Sequence, residues 1–569
     1  MANVYYRYSY RRVNIASEGI DWKAFDDIPD KSEYEEYEDI DWSVGRYWNT
    51  SAGMVYKNFG SSDFYRVSGT NLEYNNWLFY GISATQYYWS TSNPYINEFR
   101  KELAITDSDN RLFSYHALDD RIALMSLTGV KIYDKSYDFV PYGFTQIRST
   151  VDTEPYSYYI NRNGLPLAFG YTNIASRSTV AEADATTLEK TFLKTAVIED
   201  NDMYSYSQKI GTIHEVKSIN ELDLSKAEEI DYEYGPLSDN MAMKDNRIVT
   251  TSTNQTLSLY VDEEAYASAT DAVENTEEAV ATSTDAAQTY VANKENDYTN
   301  PGQYKNYSNY LYITGLKYEG YPRYLIYKGS DEKYDLDSKY GKEEWKELPL
   351  KNRRNLIRDA VLFQPRDEIV ITVIFKYKDG SQIKKKLPIY SKNASWGTKN
   401  TDYIVNAGDN LPDDLEKVSL VFSQIGSYTV DDIKLIHQPL DYIYDDVNNL
   451  TSNEMYNIDL HKNSINFATH RITGEYYADE DSFLYFNIPY STGWTLYVDG
   501  EERDLIRANI GFMGTFIEPG EHTIVLKYHS PGIKLGIVLS VLGLIIFVGM
   551  LIIDYLILED NKEENKKKN

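Results

Sequence analysis

The sequence predicts a mainly β protein with an α/β N-terminal unit, tandem β-sandwich or jelly-roll domains after it, and one C-terminal transmembrane helix. Three observations carry this. From about residue 304 onward, short apolar runs recur between turn residues at the density that sandwiches and jelly rolls show. Between residues 63 and 133, helical and strand patterns alternate instead. Residues 535–553 read LGIVLSVLGLIIFVGMLII, uncharged, with Ser540 the one polar side chain. That is about the 20-residue length that crosses a bilayer core, and it has no amphipathic face.

In chain order, residues 1–60 form an acidic segment, in which 18–41 holds eleven carboxylates against Lys23 and Lys31. Residues 61–200 are the expected α/β unit. DFYRV at 63–67 reads as a strand, 97–103 and 118–127 (LDDRIALMSL) as helices, and GVKIY at 129–133 as a buried strand. Residues 201–260 are a β connecting region. Residues 261–300 hold ten carboxylates against Lys294 and few large apolar side chains, the composition of an inserted solvated helix or a loose linker.

Residues 301–455 are expected to form a β-sandwich or jelly roll, with strands at 310–313, 324–327, 368–378, 418–423 and 428–436. Asp379-Gly380 between FKYK and SQIK signals a tight hairpin with both central residues at positive φ. The run YTVDDIKL at 428–435 is similar to the closing strand of many carbohydrate-binding jelly rolls. Residues 456–532 form a second sandwich, with strands at 483–488, 494–498 and 523–528 and turns at Asp499-Gly500 and Pro519-Gly520. It runs almost directly into the anchor, residues 533–557, and so sits on the membrane surface. Residues 558–569 form a short tail.

A chain of 569 residues is too long for one core and implies about three or four domains. The net charge of −30 excludes non-specific nucleic-acid binding, which needs Lys and Arg to displace counterions from phosphates. Cysteine is absent, which fits an exported bacterial protein that does not rely on oxidative folding. The 54 tyrosines fit either an AT-rich genome or a surface of amphipathic rings that stack on sugars. Lys562, Lys566, Lys567 and Lys568 follow the apolar run, and Lys-rich flanks stay in the cytoplasm. The expected arrangement is a single pass through the cell membrane, with the bulk of the chain extracytoplasmic and the C-terminus cytoplasmic. The opening MANVYYRYSYRR does not resemble a signal peptide. A piece of a longer polypeptide with upstream membrane helices is therefore expected, and a tail-anchored cytosolic protein is the rival.

Several spaced blocks resemble, in order, the YfhO family of bacterial membrane proteins. Near the C-terminus they are IPYSTGW at 488–494, VDG at 498–500, ANIGFMG at 508–514, GEH at 520–522 and YHSPG at 528–532. Upstream they are FYRV at 64–67, YNN at 74–76, LDDR at 118–121, GVKIY at 129–133 and NGLPLAF at 163–169. The resemblance implies a role in glycosylating lipoteichoic acid or related wall polymers of Gram-positive bacteria, by multi-spanning glycosyltransferases using lipid-linked sugars. In such enzymes the catalytic carboxylate lies in an extracytoplasmic loop between early membrane helices, and those helices are not in this sequence. The expected function is an accessory, substrate-handling ectodomain of a membrane glycosyltransferase. The alternative is a non-catalytic surface scaffold or carbohydrate-binding module.

No nucleophile elbow, P-loop or zincin motif occurs, and the seven histidines lack metal-ligand spacing, so no metal, cofactor or catalytic residue is assigned. Asp-x-Asp triplets at 107/109, 335/337 and 479/481 lie in polar turns, where a solvated turn is the simpler reading than a metal-diphosphate clamp. The substrate-binding candidates are Tyr74, Asn75 and Asn76, the stacking platform Tyr87, Tyr88 and Trp89, and Asp119 with Arg121. Asp119, Asp120 and Arg121 also fit a structural helix start, where carboxylates favour the positive dipole end. The expected partners are the lipid bilayer, a cell-wall glycan or teichoic-acid polymer, and an N-terminal membrane domain. A teichoic acid is itself a polyanion, so contact needs a local basic patch or bridging divalent cations inside a Debye length of roughly 8 Å. Lys384, Lys385 and Lys386, and the set Lys351, Arg353, Arg354 and Arg358, are the candidates for that patch.

Overall fold

The structure is a computed structural model. It describes residues 64–69, 75, 77, 81–88, 92–106, 114–115, 117–135, 142–147, 157–205, 213–275, 307–322, 362–363, 369–389, 399–408, 414–462 and 469–568. Among these, strands dominate and one apolar helix closes the chain, as the sequence predicts.

The middle of the molecule is an antiparallel sandwich. One sheet orders Glu228–Ile230, Asp432–Pro439, Tyr307–Thr314 and Tyr403–Asn406; a second orders Glu233–Tyr234, Gln255–Tyr260, Leu415–Phe422, Ile369–Tyr377 and Gln382–Ile389. A third, of five short strands, includes Gly426–Thr429 and Lys317–Pro322. The strand Ile369–Tyr377 alternates strictly between buried and half-buried positions, the signature of a sheet with one face on the core. The run 428–436 is not one strand. It breaks at Val430-Asp431, where the chain turns a corner from one sheet to the next. Gly315 makes the facing corner at φ 68°, and the Asp431 carboxylate fills the space a side chain there would need.

The hairpin at Asp379-Gly380 forms, with a different turn from the one expected. The Gly380 amide donates to the Tyr377 carbonyl at 2.9 Å, and Gly380 alone of the pair has positive φ, at 86°. This is a three-residue connection with a glycine bulge. The same dipeptide at Asp499-Gly500 does place both residues at positive φ, 54° and 86°, closing Val498 directly onto Glu501. The dipeptide permits both turns, and the register of the flanking strands selects one.

The N-terminal unit contains a five-stranded mixed sheet ordered Ser83–Ala84, Arg66–Gly69, Val130–Lys135, Ser157–Asn161 and Phe144–Ile147. Its helices are Pro94–Glu102, capped by the Asn93 side chain, and Ile122–Leu127. The second is shorter than the 118–127 pattern suggests because Asp119 and Asp120 adopt left-handed φ of 56° and 54°. Aspartate tolerates that region better than most residues, and helix cannot propagate through it.

The remaining strands are not confined to the linear segments. A seven-stranded sheet orders His214–Val216, Asn173–Ser176, Ala196–Ile198, Ile506–Ala508, Phe512–Ile517, Ser482–Pro489 and Ala168–Tyr171. Four strands come from the N-terminal side and three from the last β unit. One face packs against the helices 94–102, 122–127, 185–191 and 442–451. The other packs on the five-stranded sheet ordered Tyr456–Asp459, Arg471–Ala478, Gly520–Tyr528, Trp494–Val498 and Glu501–Arg503. Burial on both faces explains why Ser482 through Ile488 are all buried, without alternation. From Tyr528 the chain passes in four residues to the helix Ile533–Lys568, whose segment Leu535–Leu558 is apolar, exposed and long enough to span a membrane.

Candidate functional site

Of the binding candidates, Tyr74, Asn76 and Trp89 lie outside the described residues, as do Asp107/Asp109, Asp335/Asp337 and the set Lys351, Arg353, Arg354 and Arg358. Asn75 is buried in a left-handed turn, φ 64°. Tyr87 and Tyr88 form a two-residue strand paired with Ser114–Tyr115. The half-buried Tyr87 ring stacks on Tyr115 at 4.3 Å between centroids, with 24° between planes.

Arg100 adds a cation to this pair, its guanidinium carbon 5.0 Å from the centre of the Tyr115 ring. Its Nη2 is buried without a hydrogen-bond partner among the described residues. Nearby, Arg66 donates to the Asn487 side chain at 2.7 Å, the Asn487 carbonyl at 2.6 Å and the Thr128 carbonyl. Burial lowers the Arg66 pKa to about 10. Burial, then the neighbouring Tyr115, pushes the Tyr87 hydroxyl above its ordinary range, while Arg100 and Arg66 pull the other way. Two guanidiniums and two stacked phenols thus share one neighbourhood. The sequence reading missed Arg100, although it interrupts the apolar stripe of Ile96, Phe99 and Leu103 on its helix, where a charge is out of place.

Asp119 and Arg121 stand elsewhere, in an internal joint. Arg121 is fully buried and ion-paired with Glu189 at 2.6 Å; it also donates to the carbonyls of Leu103 at 2.5 Å and Ala185 at 3.4 Å. The Asp119 carboxylate accepts from the Thr106 amide at 2.8 and 3.1 Å and from the Thr106 hydroxyl at 2.8 Å. Burial raises the pKa of both Asp119 and Glu189, opposed first by Arg121 in each case. The joint reaches the middle sandwich: Asn406 Nδ2 donates to the carbonyls of Asp119 at 3.1 Å and Asp120 at 3.2 Å. Lys385 points from the edge strand to Asp120 at 3.4 Å, leaving Lys384 and Lys386 exposed. Arg100 also acts on Asp119 electrostatically, so it stands between the aromatic pair and the joint.

The triplet Asp479/Asp481 occupies the short connection between two strands of the last sandwich. Among the described residues, no group of three or more His, Asp or Glu is placed to hold a metal ion.

A β body ending on an exposed, uninterrupted apolar helix defines a membrane protein. Residues 377–540, under a third of the chain, match the family described as "Bacterial membrane protein YfhO". A relative from Bacillus subtilis (strain 168), described as "Uncharacterized protein YfhO", is 29% identical over 84 residues, 15% of this chain and 10% of that protein. The match therefore spans about a tenth of that relative's length. Cryo-EM structures of the mycobacterial arabinofuranosyltransferase AftD, native and mutant, align over 84–85% of this chain and 62–64% of theirs. They do so at 8–9% identity with TM-scores of 0.27–0.28, below what a shared fold gives.

Proposed function

We propose that this chain is the extracytoplasmic, substrate-handling portion of a glycosyltransferase-like membrane protein that modifies a cell-envelope polymer such as lipoteichoic acid. The observation that carries the reading is the extent of the YfhO match, which runs from the middle sandwich to residue 540, six residues into the membrane span. The match thus joins the last β-sandwich to the start of the span. In this reading the link keeps that sandwich near the membrane surface, where a lipid-linked sugar resides.

In this reading, Tyr87, Tyr88 and Trp89 offer aromatic faces to the C–H face of a sugar ring, and Tyr74 and Asn76 exchange hydrogen bonds with its hydroxyls, while the buried Asn75 shapes the turn between them. Asp119 and Arg121 are positioning residues that fix the neighbouring segments. Asp119 and Glu189 are enclosed by protein partners. The general base that takes the acceptor proton therefore comes from outside this joint.

The test is the hexose content of lipoteichoic acid from cells whose intact protein carries Trp89→Ala, with the protein level unchanged. A several-fold loss of hexose is expected. Unchanged content would overturn the reading in favour of a non-catalytic scaffold. Orientation is tested separately: protease added to intact protoplasts should digest the sandwiches, and their protection would refute the extracytoplasmic placement.

A further inference from the structure

The last sandwich has two ends of opposite character. Strands 471–478 and 520–528 are antiparallel, as are 494–498 and 520–528, so Arg471, Trp494 and Tyr528 meet at one end. Pro489 and Tyr490 close the facing sheet near the same end, three residues before Gly493. The opposite end, about 25 Å away for eight-residue strands, carries Asp479, Glu480, Asp481, Asp499, Glu501 and Glu518. The segments converging at the first end, residues 469–472, 489–495 and 526–536, contain no carboxylate of their own, in a chain with 87 of them; Asp459, opposite Thr473, and Asp202, which acts electrostatically on Tyr490, are acidic neighbours of this end. The same segments contain Arg471, Lys527 and Lys534, with the exposed His470 and His529.

This carboxylate-poor rim is also aromatic. Trp494 and Tyr528 pack at 4.9 Å, and Tyr490 meets Tyr95 edge-on at 5.0 Å; Trp494, Tyr490 and Tyr528 are each partly exposed. The rim is coupled closely to the membrane helix. The His529 amide donates to the Gly493 carbonyl at 2.8 Å, and the Ile533 amide reaches the Ser530 carbonyl at 3.3 Å. With Pro531 and Gly532 at its centre and Gly532 at φ 78°, Ser530–Ile533 is a type II turn, whose ends lie within about 7 Å. Gly493 packs so tightly on this link that a Cβ would come within 2.4 Å of the His529 carbonyl and 3.0 Å of Pro531. The apolar span starts at Leu535, two residues into the helix. The link is a compact turn, so the helix cannot hold the rim away from the bilayer as a flexible tether would.

We propose that this rim is a lipid-docking surface seated in the headgroup layer, with Trp494, Tyr490 and Tyr528 at the interface and Arg471 and Lys527 against lipid phosphates. Indole and phenol side chains favour that layer because one end is apolar and the other donates hydrogen bonds. A basic rim on an otherwise acidic chain is drawn to anionic headgroups, while the acidic far end is repelled by them. The occupant is therefore the phospholipid surface, with a preference for anionic lipid. The inference needs no assumption about sugar chemistry and holds for either orientation of the helix.

The cysteine-free sequence allows a direct test. A single cysteine is placed at Thr492 or at Glu480, both exposed, and labelled with a nitroxide in the full chain reconstituted into vesicles. The label's relaxation by oxygen relative to a water-soluble nickel chelate reports its depth. Position 492 should show a several-fold higher ratio than position 480 in phosphatidylcholine. The ratio at 492 should rise further when phosphatidylglycerol is mixed in, and R471Q/K527Q should remove that further rise. Equal ratios at the two positions overturn the proposal. So does a depth at 492 that ignores phosphatidylglycerol, because it removes the role of the basic pair.

Discussion

The N-terminal unit is joined to its two neighbours in two different ways. To the last sandwich it is joined by a common sheet: Ala168–Tyr171 pairs with Ser482–Pro489, placing Phe169 opposite Tyr485, and Ile198 pairs with Ala508. Apolar side chains from both sides of the sequence fill the cores on the two faces of that sheet. To the middle sandwich it is joined by buried polar groups beside a small apolar cluster of Ala104, Ala185, Tyr310, Ile404 and Ile436. The Thr106 hydroxyl donates to the Ile404 carbonyl at 2.9 Å, Asn406 donates to the carbonyls of Asp119 and Asp120, and Lys190 reaches Gln438 at 3.1 Å, while Arg121–Glu189 and Asp119–Thr106 brace the N-terminal side of the joint. A shared sheet makes two segments one folding unit. A polar joint instead fixes the register between two units that each have a core, because every donor must find its acceptor.

Three substitutions test that distinction. The largest effect is expected for Arg121→Leu, which leaves Glu189 buried without its cation and should cost about 3–5 kcal/mol. With Arg121 gone, the folded-state pKa of Glu189, already raised by burial, rises further above the ordinary 4.5. A carboxyl with a raised folded pKa loses stability as pH climbs. The deficit should therefore be smallest below pH 4.5 and grow above it, read by denaturant titration at several pH values. The double variant R121L/E189L should recover most of the loss. A double variant as unstable as the single one would mean the pair is not the source of the effect.

Leu484→Ala should cost about 2–5 kcal/mol. Leu484 is fully buried between the seven-stranded sheet and its partner. Because those strands are common property, hydrogen exchange should accelerate together at 168–171 and 482–489. Acceleration at one without the other would separate what the shared sheet is expected to unite. Asn406→Ala, removing two donors to buried carbonyls, should cost less, about 1–3 kcal/mol. Its exchange signature should be confined to the joint near 118–121 and 403–406. Spread of that signature to 482–489 would show that the polar joint and the common sheet are not independent.

The sequence foretells these two joints unequally. The last sandwich is readable because its strands are bounded by Asp-Gly and Pro-Gly turns and run into an unmistakable apolar span. The middle sandwich is readable for the same local reasons, up to the corner at Val430-Asp431, where a continuous β pattern conceals a change of sheet. The common sheet is not readable. Pairing of Phe169 with Tyr485 is decided by shape across the fold, and both strands look locally like members of their own segment. The helical pattern at 118–127 has the right apolar spacing, yet two aspartates in left-handed conformation stop it short. The aromatic character of Tyr87 is plain in the sequence. The Arg100 cation placed against Tyr115 depends on a helix docking 15 residues away in the chain, and only its misfit in an apolar stripe hints at it.

The common sheet also fixes when the molecule can be finished. Phe169 waits for Tyr485, so a ribosome adding about 5–20 residues per second needs roughly 15–60 s to deliver the partner strand. Throughout that interval the 168–171 strand has an open edge, and an open apolar edge invites pairing with another chain. The middle sandwich, whose strands span 228–439, is completed before then and can fold during the wait. Assembly is therefore ordered by synthesis, with the middle domain maturing first and the outer two closing together afterwards. A nascent chain of this design exposes its 168–171 edge to mispairing for roughly 15–60 s.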